Sequence, residues 1–150
     1  MKQHTRIMAI IAALAAVQPA QHPLQAAPDP LPVQSKDSEV EHKAKLEAQW
    51  KIQISALVYN NKPQFESVIT AASKQQPGKV NFALAFVNGI AKKFKLTDKD
   101  LRVDNIKFNA TFTSAAVTAS YKDASAPGGW TKFTAPENWV LEGGEWLRVL

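Results

Sequence analysis

Proton-transfer chemistry needs a titratable side chain whose surroundings tune it, and this chain offers few candidates. A carboxylic acid in an apolar setting has its pKa raised and can then act as general acid or base near neutrality. Between Asn60 and Thr97 the only acidic residue is Glu66, just after a turn signal. Asp98, Asp100, Asp104 and Asp123 fall in turn-like or strand-edge sequence, where acids usually cap or meet solvent. The only histidine beyond the proline-rich stretch is His42, and its neighbours Glu39, Glu41, Lys43 and Lys45 predict an exposed helix position. Tyr59 and Tyr121 each present a hydroxyl able to hydrogen-bond within a pocket, although the commoner role of such a ring is structural. Proton transfer here would draw on a carboxylate, Glu66 or Asp104, set beside Tyr59.

Other chemistries lack their parts. The chain has no cysteine, which removes disulfides, thiolate nucleophiles, cysteine-based zinc sites and thioether haem attachment. No Ser-His-Asp set, Gly-rich phosphate loop or metal-ligand spacing is present, so neither cofactor nor metal is expected. Asn109-Ala-Thr111 fits a glycosylation sequon, a tripeptide frequent by chance. Removing Lys2 and Arg6 leaves 16 Lys and Arg against 13 Asp and Glu, a mild net charge of +3. With only three Arg in the chain, bidentate phosphate recognition is poorly served and nucleic acid is not an expected partner. Lys92, Lys93, Lys95 and Lys99 form the densest basic cluster and read first as a solvated helix end whose cations favour the C-terminal dipole, with an anionic-membrane patch as the less favoured alternative.

The apolar run Ile7–Val17 follows Lys2 and Arg6 and precedes proline-rich sequence, the pattern of a secretory signal. It is shorter than the about 20 residues a spanning helix needs, so no stable membrane span is expected. Cleavage after Ala20 is predicted, with Ala26 and Ala27 as later alternatives. Export to the periplasm or the exterior follows. Residues 18–34 hold five of the nine prolines and cannot form a regular hydrogen-bond ladder, so 21–35 is assigned as a linker and 36–150 as the folded domain.

Within that domain the periodicity supplies the elements. Ser38-x-x-Glu41 predicts a capping box, followed by an apolar face of Leu46, Trp50, Ile54, Leu57 and Val58. Asn60-Asn61 and Pro63 mark the break into a second helix carrying Phe65, Val68, Ile69 and Ala72. A third helix places Val80, Ala83, Leu84, Val87, Ala91 and Phe94 on one face, while Phe82, Phe86 and Ile90 widen it. A helix apolar over so much of its circumference is buried from two sides or lines a hydrophobic cavity. Thr97-x-x-Asp100 then caps one short turn. Leu101–Phe108 and the alternation around Val117, Ala119 and Tyr121 predict strands. Trp130–Leu141 predicts a third strand that Pro136 forces to an edge or a bulge. Gly143-Gly144 predicts a two-residue hairpin setting Leu141 opposite Trp146 and Trp139 opposite Arg148, with a cation–π contact in the second pair.

Three helices followed by a twisted antiparallel sheet make an α+β fold. Leu-Glu-Ala-Gln-Trp at 46–50, the Asn60-Asn61 break and the ending Trp139-Val-Leu-Glu-Gly-Gly-Glu-Trp-Leu-Arg-Val149 resemble the nuclear-transport-factor-2-like superfamily, also called cystatin-like or ketosteroid-isomerase-like. The likeness spans roughly residues 38–150. It implies a cone-shaped half-barrel whose helices and concave sheet enclose an apolar pocket. Tyr59, Phe82, Phe86, Ile90 and Tyr121 are the residues expected to line it. The expected function is an exported non-catalytic module that binds an apolar small molecule or an envelope protein partner, with a homodimer as an open assembly. The superfamily's enzymes imply the alternative, a small isomerase- or dehydratase-like activity with Glu66 or Asp104 as carboxylate base and Tyr59 beside it.

Overall fold

The computed structural model describes residues 36–150. The leader, its cleavage positions and the proline-rich linker lie outside the described residues. Helix α1 spans Lys36–Val58. Leu46, Trp50, Ile54, Leu57 and Val58 are buried as their spacing predicts, and Gln53 and Ala56 join them. The helix already includes Ser38, two residues past its first described position, and Glu41 pairs forward with Lys45 at 2.7 Å. Asn60 adopts a left-handed φ of 56°, and the Asn61 side chain caps α2, Lys62–Ser67, by accepting from the Gln64 amide at 3.2 Å.

The predicted second helix is divided in two. Val68–Thr70 leave helical geometry, and the chain resumes as α3, Ala71–Lys74, capped by the Thr70 hydroxyl. The cause is long-range. The Arg148 amide donates to the Val68 carbonyl at 2.9 Å, and the Thr70 amide donates to the Arg148 carbonyl at 3.0 Å. Ile69 thereby forms a parallel bridge with Arg148 on an otherwise open sheet edge, an arrangement that suits β-branched residues. Among the described residues there are four α-helices rather than three.

Helix α4 runs Pro77–Phe94 and ends at Lys95, which takes a left-handed φ of 55°. Val80, Ala83, Leu84, Val87 and Ala91 are buried. Phe82 and Phe86 are 69% and 48% exposed, so this helix is not covered from both sides. One face rests on α1, where the Asn88 side chain donates to the Val58 carbonyl at 2.6 Å. The opposite face is open.

Thr97 and Asp100 form the expected capping box around the short turn Asp98–Asp100. Strand β1, Leu101–Phe108, pairs antiparallel with β2, Ser114–Lys122, and the register shifts at Asp104. Ala115, Val117 and Ala119 face the core. The predicted strand over Trp130–Leu141 splits into β3, Trp130–Lys132, and β4, Glu137–Glu142, both paired with β2. The Phe133 amide still donates to the Ala119 carbonyl at 3.0 Å, and residues 134–136 then depart, Pro136 having no amide to donate to a ladder. Gly143 and Gly144, with φ of 60° and 86°, turn the chain into β5, Glu145–Val149. The predicted register holds: Leu141 faces Trp146 and Trp139 faces Arg148. The sheet order is β1-β2-β4-β5, with β3 added to β2. Trp139 and Trp146 are fully buried in one core with Leu46, Trp50, Ile54 and Leu57. The fold is α+β.

Candidate functional site

A mostly apolar cleft of about 470 Å³ opens between the open side of α4, the Phe133–Asn138 segment and the end of β5. Its α4 wall is built on i, i+4 spacing. Phe82 and Phe86 stack with ring centroids 5.7 Å apart and planes 13° from parallel, which presents one flat apolar surface. Ala83 and Val87 continue that wall inward, Ile54 of α1 reaches it from below, and Phe133 stands opposite. At the rim the Lys79 ammonium donates to the Leu150 main-chain oxygen at 3.0 Å.

One corner of the cleft is polar. Glu137 and Arg148 line it, with side chains 11% and 18% exposed. Arg148 Nη1 donates to Glu137 Oε1 at 3.1 Å. Gln53 Nε2 and Trp139 Nε1 donate to Glu137 Oε2 at 2.9 and 3.3 Å. Both carboxylate oxygens are therefore engaged, and the group braces α1 to the β4–β5 hairpin. Arg148 Nε and Gln53 Oε1 are buried without a hydrogen-bond partner. The predicted cation–π contact of Arg148 with Trp139 gives way to this ion pair, since a carboxylate offers a guanidinium a stronger, directional partner than a ring face does. Arg102 makes the contact of that kind instead, 4.0 Å above the Trp130 ring.

Two of the five residues expected to line a pocket meet here. Phe82 and Phe86 form its wall. Ile90, one turn further along α4, is half-buried and outside the cleft. Tyr59 is 59% exposed where α1 ends, and its hydroxyl reaches Asp98 at 3.5 Å. Tyr121 packs between Phe94 and Phe133, at centroid distances of 5.5 and 5.3 Å, and touches the cleft only through Phe133. The residues that sequence reasoning missed are Glu137, Arg148, Phe133 and Gln53. A signal for two of them existed: Glu137 shares a strand face with Trp139, and the hairpin register sets Trp139 opposite Arg148.

The other carboxylates are tied up apart from one another. Glu66 lies 3.8 Å from Lys62, and Asp104 takes hydrogen bonds from Ser120 and from Arg102. The Thr97 amide and hydroxyl hold the Asp100 carboxyl below its ordinary range. Asp123 is likewise lowered, first by the Ser125 hydroxyl at 2.6 Å, then by the Ser125 amide at 2.9 Å, with help from Thr131. Among the described residues the Tyr59 hydroxyl donates to Asp98 and to none of these acids.

His42 is not the exposed helix residue its neighbours predict. Its ring is half-buried, stacked on Phe112 at 5.2 Å and edge-on to Trp146 at 5.8 Å. Phe112 holds a positive φ of 50° while it covers this end of the core. Asn109 of the sequon is drawn into the β1–β2 turn, where its side chain bonds Thr111 and Thr113 and accepts from the Ser114 amide. Among the described residues no group of three or more His, Asp or Glu stands close enough to hold a metal ion. Compared with known proteins, the chain matches no family model, no curated protein and no solved structure.

Proposed function

We propose that this chain is an exported, non-catalytic module that holds an apolar small molecule in the cleft between α4 and the end of β5. The observation that carries the reading is the stacked Phe82–Phe86 pair. Two large rings stay 69% and 48% exposed at the mouth of a cleft of about 470 Å³. That volume falls in the range of small-molecule sites, which combine apolar walls with a few oriented polar groups. Covering exposed apolar surface is favourable by about 25 cal/mol per Å², so an apolar occupant gains most against these rings. The Glu137–Arg148 corner supplies orientation rather than proton transfer, since both Glu137 oxygens already accept hydrogen bonds.

Within this proposal the sheet and helices form the half-barrel of a nuclear-transport-factor-2-like domain, and the leader ahead of the described residues directs export. A hydrophobic fluorescent probe tests the cleft. Its binding should weaken with Phe86→Ala and with Phe133→Ala and stay unchanged with Tyr59→Phe, which lies elsewhere. Equal affinity across all four proteins would dismiss the cleft as the site.

A further inference from the structure

The open face of α4 carries a composition that the cleft does not use. Across its 18 residues the helix has three lysines, Lys79, Lys92 and Lys93, and no acidic residue. Its solvent side runs Gly78, Phe82, Ala85, Phe86, Gly89 and Lys93, all exposed. On the helix itself the exposed neighbours of the two rings include the small residues Gly78, Ala85 and Gly89. At one end stands Lys79, at the other Lys92 and Lys93, and the exposed Lys95 and Lys99 follow directly. An apolar strip flanked by cations, with no acid in the helix and none after it before Asp98, is the composition of a helix that lies in the plane of a membrane interface.

The surroundings leave this positive field largely in place. Asp98 lies by the Tyr59 hydroxyl, and Asp100 is held by Thr97 and paired at 3.7 Å with Lys122. Asp123, which feels Lys93, is buried and bonded to Ser125 and Thr131. The Lys93 ammonium sits 5.1 Å from the Phe94 ring. Among the described residues Lys92, Lys93, Lys95 and Lys99 form no ion pair. Among the described residues no helix is long and apolar enough to cross a membrane, so the contact would be peripheral.

We infer that the open face of α4 docks on an anionic membrane surface, with Phe82 and Phe86 entering the headgroup–acyl boundary and Lys92, Lys93 and Lys95 resting on lipid phosphates. Charge complementarity selects the partner. A second copy of the chain would have to bring these lysines near one another, and an uncharged bilayer would leave them without counterions. Cleft and membrane face share Phe82, Phe86 and Lys79, so Lys92, Lys93 and Lys95 report on the second without touching the first.

The experiment is co-sedimentation of the exported chain with vesicles of equimolar phosphatidylglycerol and phosphatidylcholine, beside vesicles of phosphatidylcholine alone. Binding is expected to the anionic vesicles and not to the neutral ones. Each of Lys92→Gln, Lys93→Gln and Lys95→Gln should weaken it roughly fivefold, and added salt should weaken it further. Phe82→Ala, at an exposed position that the core does not need, should weaken it roughly tenfold. Probe binding to the lysine variants without vesicles should stay at the parental level. Three results would overturn the inference: no sedimentation with anionic vesicles, equal binding to both compositions, or a Phe82-dependent dimer that forms while vesicles are ignored. The cleft reading fails separately, through loss of probe binding in the parental chain.

Discussion

Glu137 and Arg148 meet at 3.1 Å across the closing hairpin, and Gln53 of α1 donates to the same carboxylate from the other side. Helix and sheet are thus joined at the polar corner of the cleft by one acid with three donors. Removing one partner of a largely buried pair leaves the other charge uncompensated. We expect Glu137→Ala to cost roughly 3 kcal/mol in denaturant unfolding. Glu137→Gln keeps the volume and one acceptor and should cost less. An alanine variant as stable as the parent would show that the brace contributes nothing.

Trp146 is fully buried against Leu141 and the His42 ring, whereas Trp130 is half-buried under Arg102 at the start of a short edge strand. Trp146→Ala should therefore cost about 3–5 kcal/mol. Trp130→Ala should cost clearly less. Chemical melts of the two variants compare them directly, and equal losses would contradict the packing described.

Acid sensitivity should concentrate on Asp123 and Asp100. Both are lowered from the ordinary value of 3.8 by hydrogen bonds from Ser125 and Thr97 respectively. A depressed folded-state pKa gives stability that is complete above 3.8 and is lost as pH falls below it, because the unfolded chain takes up the proton first. Unfolding free energy should thus be flat across neutral pH in this respect and decline below about 4. Asp123→Asn should flatten part of that decline, which melts at a series of acidic pH values will reveal.

Phe86→Ala removes half of the stacked wall and should weaken a hydrophobic probe about fivefold, the equivalent of roughly 1 kcal/mol for a partly covered ring. Glu66→Gln and Asp104→Asn should leave any turnover of a hydrophobic carbonyl substrate unchanged, since Lys62 on one side and Ser120 with Arg102 on the other hold those groups. Loss of a reaction in either variant, with the fold intact, would favour an enzyme.

N-terminal sequencing of exported protein should begin between Gln21 and Asp29. Soluble cytoplasmic protein that retains Met1 would sink the export proposal.

Local rules made much of this domain legible. The buried face of α1, the Asn60 and Asn61 break, the Thr97–Asp100 cap and the Gly143-Gly144 hairpin depend on residues a few positions apart. Such features follow from side-chain period, capping and positive φ, all written in the chain itself. The hairpin register even set Leu141 against Trp146 before any packing was known.

Tertiary structure decided the rest, because those choices were settled by partners far along the chain. Val68–Thr70 have helix-compatible neighbours, yet the free edge at Arg148 draws them out of the helix. His42 stands among charges in sequence, yet the turn carrying Phe112 folds over it. Phe82 and Phe86 share a helix with buried residues, and only the position of α1 determined which side would close and which would remain open. Glu137 becomes the polar corner of the cleft only because Gln53 and Arg148, 84 and 11 positions away, converge on it. Periodicity states that a face is apolar; what covers that face depends on contacts that no local pattern encodes.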